Sequence, residues 1–327
     1  MEIKLTIDKI KECIIFYRYV RFAKIKQNEN ILIYGISRGG TTMLAQAIEK
    51  GLNARLIWEP LFRYKKVSFN WINPYSVQKY SDLNLGWTPY LPENLKNREV
   101  YSFFKDLFNL KVRNIRFFRY SKGNDFSKAK FTVIKFCFAN FAYAYLQKKF
   151  QQKSIILLRH PFAIAASSLN FGKNFDWHKS NFSTWKFKVN SPFDDKSLES
   201  YNDHIELINS PFTLLVYQIV LQYKFVLENR LPENSVVVFY EECLINPLAV
   251  ANKIQSCLNL KLNTEFQNQM RKASFSSKAG HTSKNVYTQL AKWQKDVPIN
   301  EQESGLKIFK AMDFNVYSQE LEPMIKL

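Results

Sequence analysis

Ile31-Leu32-Ile33-Tyr34-Gly35-Ile36-Ser37-Arg38-Gly39-Gly40-Thr41-Thr42 runs from four apolar residues into a glycine-rich turn, and residues 41–50 suit a helix. A short apolar run closed by turn residues reads as a buried strand. Glycines at a strand-to-helix turn let the backbone wrap an anion, with the first N–H groups and the dipole of the helix facing it. Gly35-x4-Gly40 followed by Thr42 matches the spacing of a Walker loop. Thr41, however, stands where that loop needs the Lys that reaches the β- and γ-phosphates. The loop therefore suits a smaller group, a single 5′-phosphate with one further anion, and Arg38 is the added cation. An ordinary Gly-rich turn would look the same, so this stretch alone leaves both readings open.

Three more apolar runs follow the same plan: Phe131–Ile134, Ser154–Leu158 and Ser235–Phe239, with helix-compatible segments at 140–150, 161–170 and 247–258. Asn246-Pro247 offers an N-cap followed by Pro at the first helical position. Strands alternating with helices predict an α/β fold, a central parallel sheet flanked by helices. Two long stretches break the alternation, 60–130 and 171–210, and insertions of that length tend to carry specificity. No linker separates a second domain, so 1–327 reads as one domain. A basic N-terminal helix of about 1–28 is expected to pack on it through Ile7, Ile10, Ile14, Tyr17 and Phe22.

Composition narrows the function classes. The 327 residues are 46% apolar and 16% aromatic, which excludes a disordered chain. Cys13, Cys137, Cys243 and Cys257 are singletons and the chain has four His. Neither a disulfide framework nor a metal site is expected, and a reducing compartment fits. The apolar stretches 131–146 and 211–227 are interrupted by Lys135 and Asn140, and by Gln218 and Gln222, so neither reads as a membrane span. With no signal-peptide layout, a cytoplasmic protein is expected. The 47 Lys+Arg against 28 Asp+Glu give a net charge of +19. Such a balance suits nucleic acid, an anionic nucleotide or an anionic membrane face. Scattered charge and the lack of a nucleic-acid motif disfavour the first.

Arg159-His160-Pro161 follows the run Ile155–Leu158, and Ser167 comes eight residues after Arg159. With Pro161 at a helix start, Ser167 lies nearly two turns in, on a face that can turn back toward Arg159. Arg plus a hydroxyl suits a second phosphate. Two phosphate sites and no Walker Lys point to a nucleotide phosphorylated at two positions.

These motifs together resemble the sulfotransferases that use 3′-phosphoadenosine 5′-phosphosulfate (PAPS). Ser37 to Thr42 resembles the family's 5′-phosphosulfate loop, and Arg159…Ser167 its 3′-phosphate motif. Tyr240-Glu241-Glu242, with Asn246-Pro247 beyond, resembles its Tyr-Glu-Asp-Leu element. Gly39 replaces the usual Ser and His160 the frequent Asp. The resemblance implies the P-loop-like sulfotransferase fold. It implies PAPS as co-substrate, held by Ser37, Arg38, Gly39, Gly40, Thr41, Thr42, Arg159, Ser167 and Tyr240, with Ser283 and Lys284 from a late loop.

Sulfuryl transfer needs a base for the acceptor and cations for the leaving phosphate. Glu59 is placed like the base Glu of the tyrosylprotein and bacterial carbohydrate branches, with Trp58 beside it to raise its pKa. Lys135, at the end of a strand, resembles the Lys that stabilises the leaving oxygen, and Arg38 adds charge. Cys137 stands where cytosolic members carry a base His, which strengthens Glu59; His178 and His204 read as surface residues. Trp87, Trp177 and Trp185 could stack on a sugar or an adenine, although any of them can simply be core. The family and the Ile/Lys/Asn-rich sequence point to a bacterial enzyme acting on a glycan or lipid-linked glycan, with peripheral contact at the inner membrane face. A P-loop small-molecule kinase and a basic non-catalytic nucleic-acid-binding protein are the rival readings.

Overall fold

The computed structural model describes residues 29–61, 88–112, 123–171, 182–187, 196–229, 231–272 and 285–325, with a few isolated positions elsewhere. Five strands form one parallel sheet: β1 (Asn30–Tyr34), β2 (Arg55–Trp58), β3 (Thr132–Phe136), β4 (Lys153–Leu158) and β5 (Ser235–Phe239), in the order β2-β3-β1-β4-β5. The α/β class is as expected, with one strand more than the sequence suggested. β2 is only four residues long and opens on Arg55, so its apolar signal is three residues; pairing with β3 makes it a strand.

Successive residues of each strand enter two different cores, which is why the strands read as continuous apolar runs rather than as alternation. Ile31, Ile33, Val133, Ile155, Leu157, Val236 and Val238 face one core, packed against α1 (Thr41–Leu52). Leu32, Tyr34, Ile134, Phe136, Ile156, Leu158, Val237 and Phe239 face the other. That second, larger core is filled from α2 (Arg98–Phe108), α3 (Gly123–Lys128), α4 (Tyr143–Phe150), α5 (Pro161–Leu169) and α6 (Pro211–Glu228). The insertion at 60–130 is therefore partly structural: Asn97 Oδ1 caps α2 by accepting from Glu99 and Val100 N–H at 3.0 Å each, and Phe103, Phe104, Leu107 and Phe108 of α2 are buried.

The apolar stretch 211–227 is this buried α6, closed at its start by a Ser210–Thr213 capping box. Among the described residues no helix is long and apolar enough to cross a membrane. The chain continues through α7 (Tyr240–Ile245), α8 (Pro247–Leu258), α9 (Glu265–Met270), α10 (Val286–Leu290), α11 (Lys292–Asp296) and α12 (Ile299–Ala311). Asn246 caps α8 as expected, its Oδ1 accepting from Ala249 N–H at 3.1 Å.

One expectation needs correction. The strand expected at Phe131–Ile134 runs to Phe136, so Lys135 lies inside β3, paired in register with Ile33 and Trp58 and 2% exposed. Ile7, Ile10 and Ile14 are helical and 46%, 52% and 58% exposed. Tyr17 and Phe22 lie outside the described residues.

Candidate active site

The strand order reverses at β1, whose neighbours are β3 on one side and β4 on the other. In open α/β sheets ligands bind beyond the carboxyl ends of the strands at such a point. The loop after β1, the end of β3 and the turn after β4 meet there.

The loop turns sharply. Gly39 N–H donates to Ile36 O at 2.9 Å, and the backbone is left-handed at Arg38 (φ 69°) and Gly40 (φ 92°). Left-handed residues in such a turn make the concave N–H arrangement that holds anions. A left-handed Arg costs about 1–2 kcal/mol, strain of the kind that collects at functional sites. A Cβ on Gly40 would lie 2.3 Å from the Tyr240 ring, and one on Gly39 would lie 2.8 Å from Ile36 O. The Gly at 39, where the resembling family has Ser, thus follows from the closeness of this turn.

The two phosphate motifs are physically joined. Arg38 Nε donates to Ser167 Oγ at 3.1 Å, and its guanidinium lies 4.2 Å from the Phe171 ring centre. Arg159 Nη1 donates to Arg38 O at 2.7 Å, and the Arg159 guanidinium lies 4.3 Å from the Tyr240 ring centre. Burial, and then the charge of Arg159, lower the Arg38 pKa, as expected for two cations drawn together. An arginine pair, a hydroxyl and a strained Gly turn fit a polyanionic nucleotide.

The Arg159–His160 turn is itself held by buried groups. Tyr223 O–H accepts from Arg159 N–H at 3.0 Å, and Glu241 Oε1 accepts from His160 N–H at 3.0 Å. Tyr317 O–H donates to Glu241 Oε2 at 2.9 Å. His160 Nδ1 accepts from Phe162 N–H at 3.1 Å and so caps α5; Nε2 then carries the proton and donates to Ser318 O at 2.9 Å. Trp293 stacks on the imidazole with ring centres 4.4 Å apart. Burial, with Arg159 nearby, lowers the His160 pKa to about 3, so the ring is neutral. His160 and Glu241 stood inside quoted motifs, but their role in this brace, and that of Tyr317 and Trp293, was not read from the sequence.

On the other side of β1 lies a buried polar cluster. Glu59, the first residue after β2, has φ 49° and continues the ladder, its N–H donating to Lys135 O at 3.1 Å. Its Oε1 accepts from Lys135 Nζ, and its Oε2 accepts from Cys137 N–H at 3.0 Å. Lys135 Nζ also contacts Cys137 Sγ at 3.1 Å, and Cys137 Sγ meets Thr41 Oγ1 at 3.0 Å. Glu59 is 3% exposed and Thr41 2%. Burial works against the charge on Lys135, but Cys137 and Glu59 outweigh it and hold its pKa above the usual lysine value. Burial and the Glu59 charge push the Cys137 thiol up to about 12. Trp58 lies against Lys135, 5.2 Å from Nζ to ring centre.

Thus Arg38, Arg159, Ser167, Tyr240, Thr41, Glu59 and Lys135 come together, and Ser37, Gly39, Gly40 and Thr42 line the same turn. Ser283, Lys284, His178, Trp87 and Trp177 lie outside the described residues. His204 has a 40% exposed side chain beside Glu206, and Trp185 packs edge-on against Tyr217 at 5.8 Å. No His/Cys/Asp/Glu group able to hold a metal occurs among the described residues.

The family model for the sulfotransferase domain matches residues 28–314. The chain belongs to the sulfotransferase family. Among solved structures this sulfotransferase is similar to the sulfotransferase domain of the curacin biosynthetic pathway, at 12% identity and TM-score 0.47 over 87% of this chain and 97% of that one. It is similar to the sulfotransferase domain of the Synechococcus PCC 7002 olefin synthase, at 13% identity and TM-score 0.46 over 90% and 98%. A mouse sulfotransferase, SULT7A1 complexed with PAP, matches at 12% identity and TM-score 0.41 over 90% and 87%. No curated protein matches the chain significantly.

Proposed function

We propose that this sulfotransferase moves the sulfuryl group of PAPS to a hydroxyl of a glycan or lipid-linked glycan, with Glu59 as base and Lys135 and Arg38 stabilising the leaving phosphate. The observation that carries the reading is the continuous bonded path from Arg159 through Arg38 to Ser167, with Thr41 of the same loop linked through Cys137 to the Glu59–Lys135 pair. Arg159 and Ser167 take the 3′-phosphate, and the Ser37–Thr42 turn with Arg38 takes the 5′-phosphosulfate. When bound, the donor supplies an activated sulfuryl group on a phosphate leaving group.

The Glu59–Lys135 pair suits both halves of the transfer. Each Glu59 oxygen accepts one hydrogen bond and keeps a further lone pair for the acceptor proton. As Glu59 takes that proton its charge disappears, and the ion pair that occupied Lys135 weakens. The ammonium then turns toward the charge developing on the bridging phosphate oxygen, where it acts in a low-dielectric setting. The net charge of +19 suits a polyanionic donor and an anionic inner membrane face.

Calorimetric binding of 3′,5′-adenosine bisphosphate (PAP), with 5′-AMP, ATP and ATP–Mg as comparators, tests the reading. Tight binding of PAP and much weaker binding of the others is expected. Preference for ATP–Mg would replace it with the kinase, and no binding to any would remove the nucleotide site altogether. A screen of glycan acceptors with labelled donor then tests the acceptor class.

A further inference from the structure

We propose that Cys137 is a positioning residue of the transfer reaction: its thiol and its backbone N–H lock Glu59 and Lys135 together and tie both to Thr41 of the nucleotide loop. The inference rests on the sulfotransferase reading and adds a residue that reading does not use. Cys137 makes three contacts with three different site residues. Its Sγ lies 3.1 Å from Lys135 Nζ and 3.0 Å from Thr41 Oγ1, and its N–H donates to Glu59 Oε2 at 3.0 Å. Its side chain contacts both the base–cation pair and α1.

The placement follows from the end of β3. Lys135 is strand residue, Phe136 is the last residue in register with β1, and the chain leaves the sheet at Cys137. Residues 135 and 137 share strand parity and so point to the same face. That face is the α1 side, where Thr41 begins the helix. A residue at 137 with a soft acceptor and weak donor can satisfy an ammonium on one side and a hydroxyl on the other. Buried at 6% exposure, the thiol stays protonated and adds no competing negative charge. It therefore serves neither as base nor as nucleophile; it aims the ammonium.

An aiming role predicts a specific kinetic pattern. Loss of the thiol removes no phosphate ligand, so binding survives while the reacting groups lose alignment. Misplacement of reacting groups by fractions of an ångström lowers kcat rather than affinity. A hydroxyl can make the same two contacts, whereas a methyl can make neither.

Wild type, Cys137→Ser, Cys137→Ala and, as a control, Cys257→Ser, at an exposed thiol, are compared for release of PAP from PAPS with water as acceptor, for PAP affinity and for thermal stability. For Cys137→Ala, kcat is expected to fall about tenfold or more while KM for PAPS and the PAP Kd stay within about twofold. Cys137→Ser should recover most of that loss, and Cys257→Ser should match wild type. An active wild type whose Cys137→Ala variant has unchanged kcat overturns the inference alone. So does a Cys137→Ser variant as slow as Cys137→Ala, which would make the side chain a matter of volume. A wild type that does not bind PAP overturns the sulfotransferase reading, and the inference with it.

Discussion

Arg159 Nη1 donates to the carbonyl of Arg38 across 2.7 Å, so the turn after β4 braces the loop after β1 at the residue whose left-handed backbone shapes that loop. With Arg38 bonded in turn to Ser167, the residues after the two strand ends form one connected cluster rather than two separate ones.

Arg159→Ala should weaken PAP binding about 10–100-fold, the loss expected for charge-assisted hydrogen bonds of about 1.5–3 kcal/mol. Binding of 5′-AMP, which has no 3′-phosphate, should change much less. Calorimetry on both nucleotides checks this; equal losses for the two would mean that Arg159 acts only through the loop.

Glu59→Gln keeps an oxygen and the shape of the side chain but cannot take a proton. It should lower kcat at least about a hundredfold, the range of general base catalysis, with KM for PAPS nearly unchanged. Full turnover by a folded Glu59→Gln protein would eliminate Glu59 as the base.

Lys135→Met should unfold at lower temperature than wild type, because a buried carboxylate left without its partner costs about 3–5 kcal/mol. Adding Glu59→Gln to Lys135→Met should restore much of that stability while activity stays lost. Non-additivity of this kind, read from chemical denaturation of the two single variants and the double variant, reports the pair directly. Simple additivity would mean that the two charges do not depend on each other.

His160 makes the fold sensitive to acid. Its folded pKa of about 3 lies below the ordinary value of 6.5, so on acidification the unfolded chain takes up a proton that the folded chain refuses. The stability contribution is complete above the unfolded value and is lost as pH falls toward the folded one. Between pH 7 and pH 5 the loss from this group is about 2 kcal/mol. His160→Asn keeps a capping acceptor for Phe162 N–H and removes the titration. Urea unfolding at the two pH values should show a smaller pH difference for the variant than for wild type, and an identical difference would refute the assignment.

The parts of the candidate nucleotide site that the structure brings together could be picked out in the chain because they are local. A glycine turn after an apolar run, and an Arg with a Ser two helical turns on, are short patterns whose geometry follows from backbone rules. β2 was not legible as a strand, since four residues opening on Arg55 carry too little apolar signal. Lys135 looked like a strand terminus because a lysine interrupts the run. It sits within the strand because Glu59, 76 residues earlier, neutralises it there. That His160, Glu241, Tyr317 and Trp293 meet in one buried brace had no signature, because its members come from four separate segments, although His160 and Glu241 each sit in a quoted motif.

The sequence by itself determined a parallel α/β sheet with two candidate anion-binding motifs at its strand ends, because strand periodicity, glycine conformation and helix caps act within a few residues. Tertiary structure alone decided that Arg38 meets Ser167, that Lys135 meets Glu59, and that Cys137 stands between that pair and Thr41. Each of these contacts is made across the sheet. A buried charge or thiol takes its chemistry from the partner that the strand order brings beside it, and no local pattern encodes that partner.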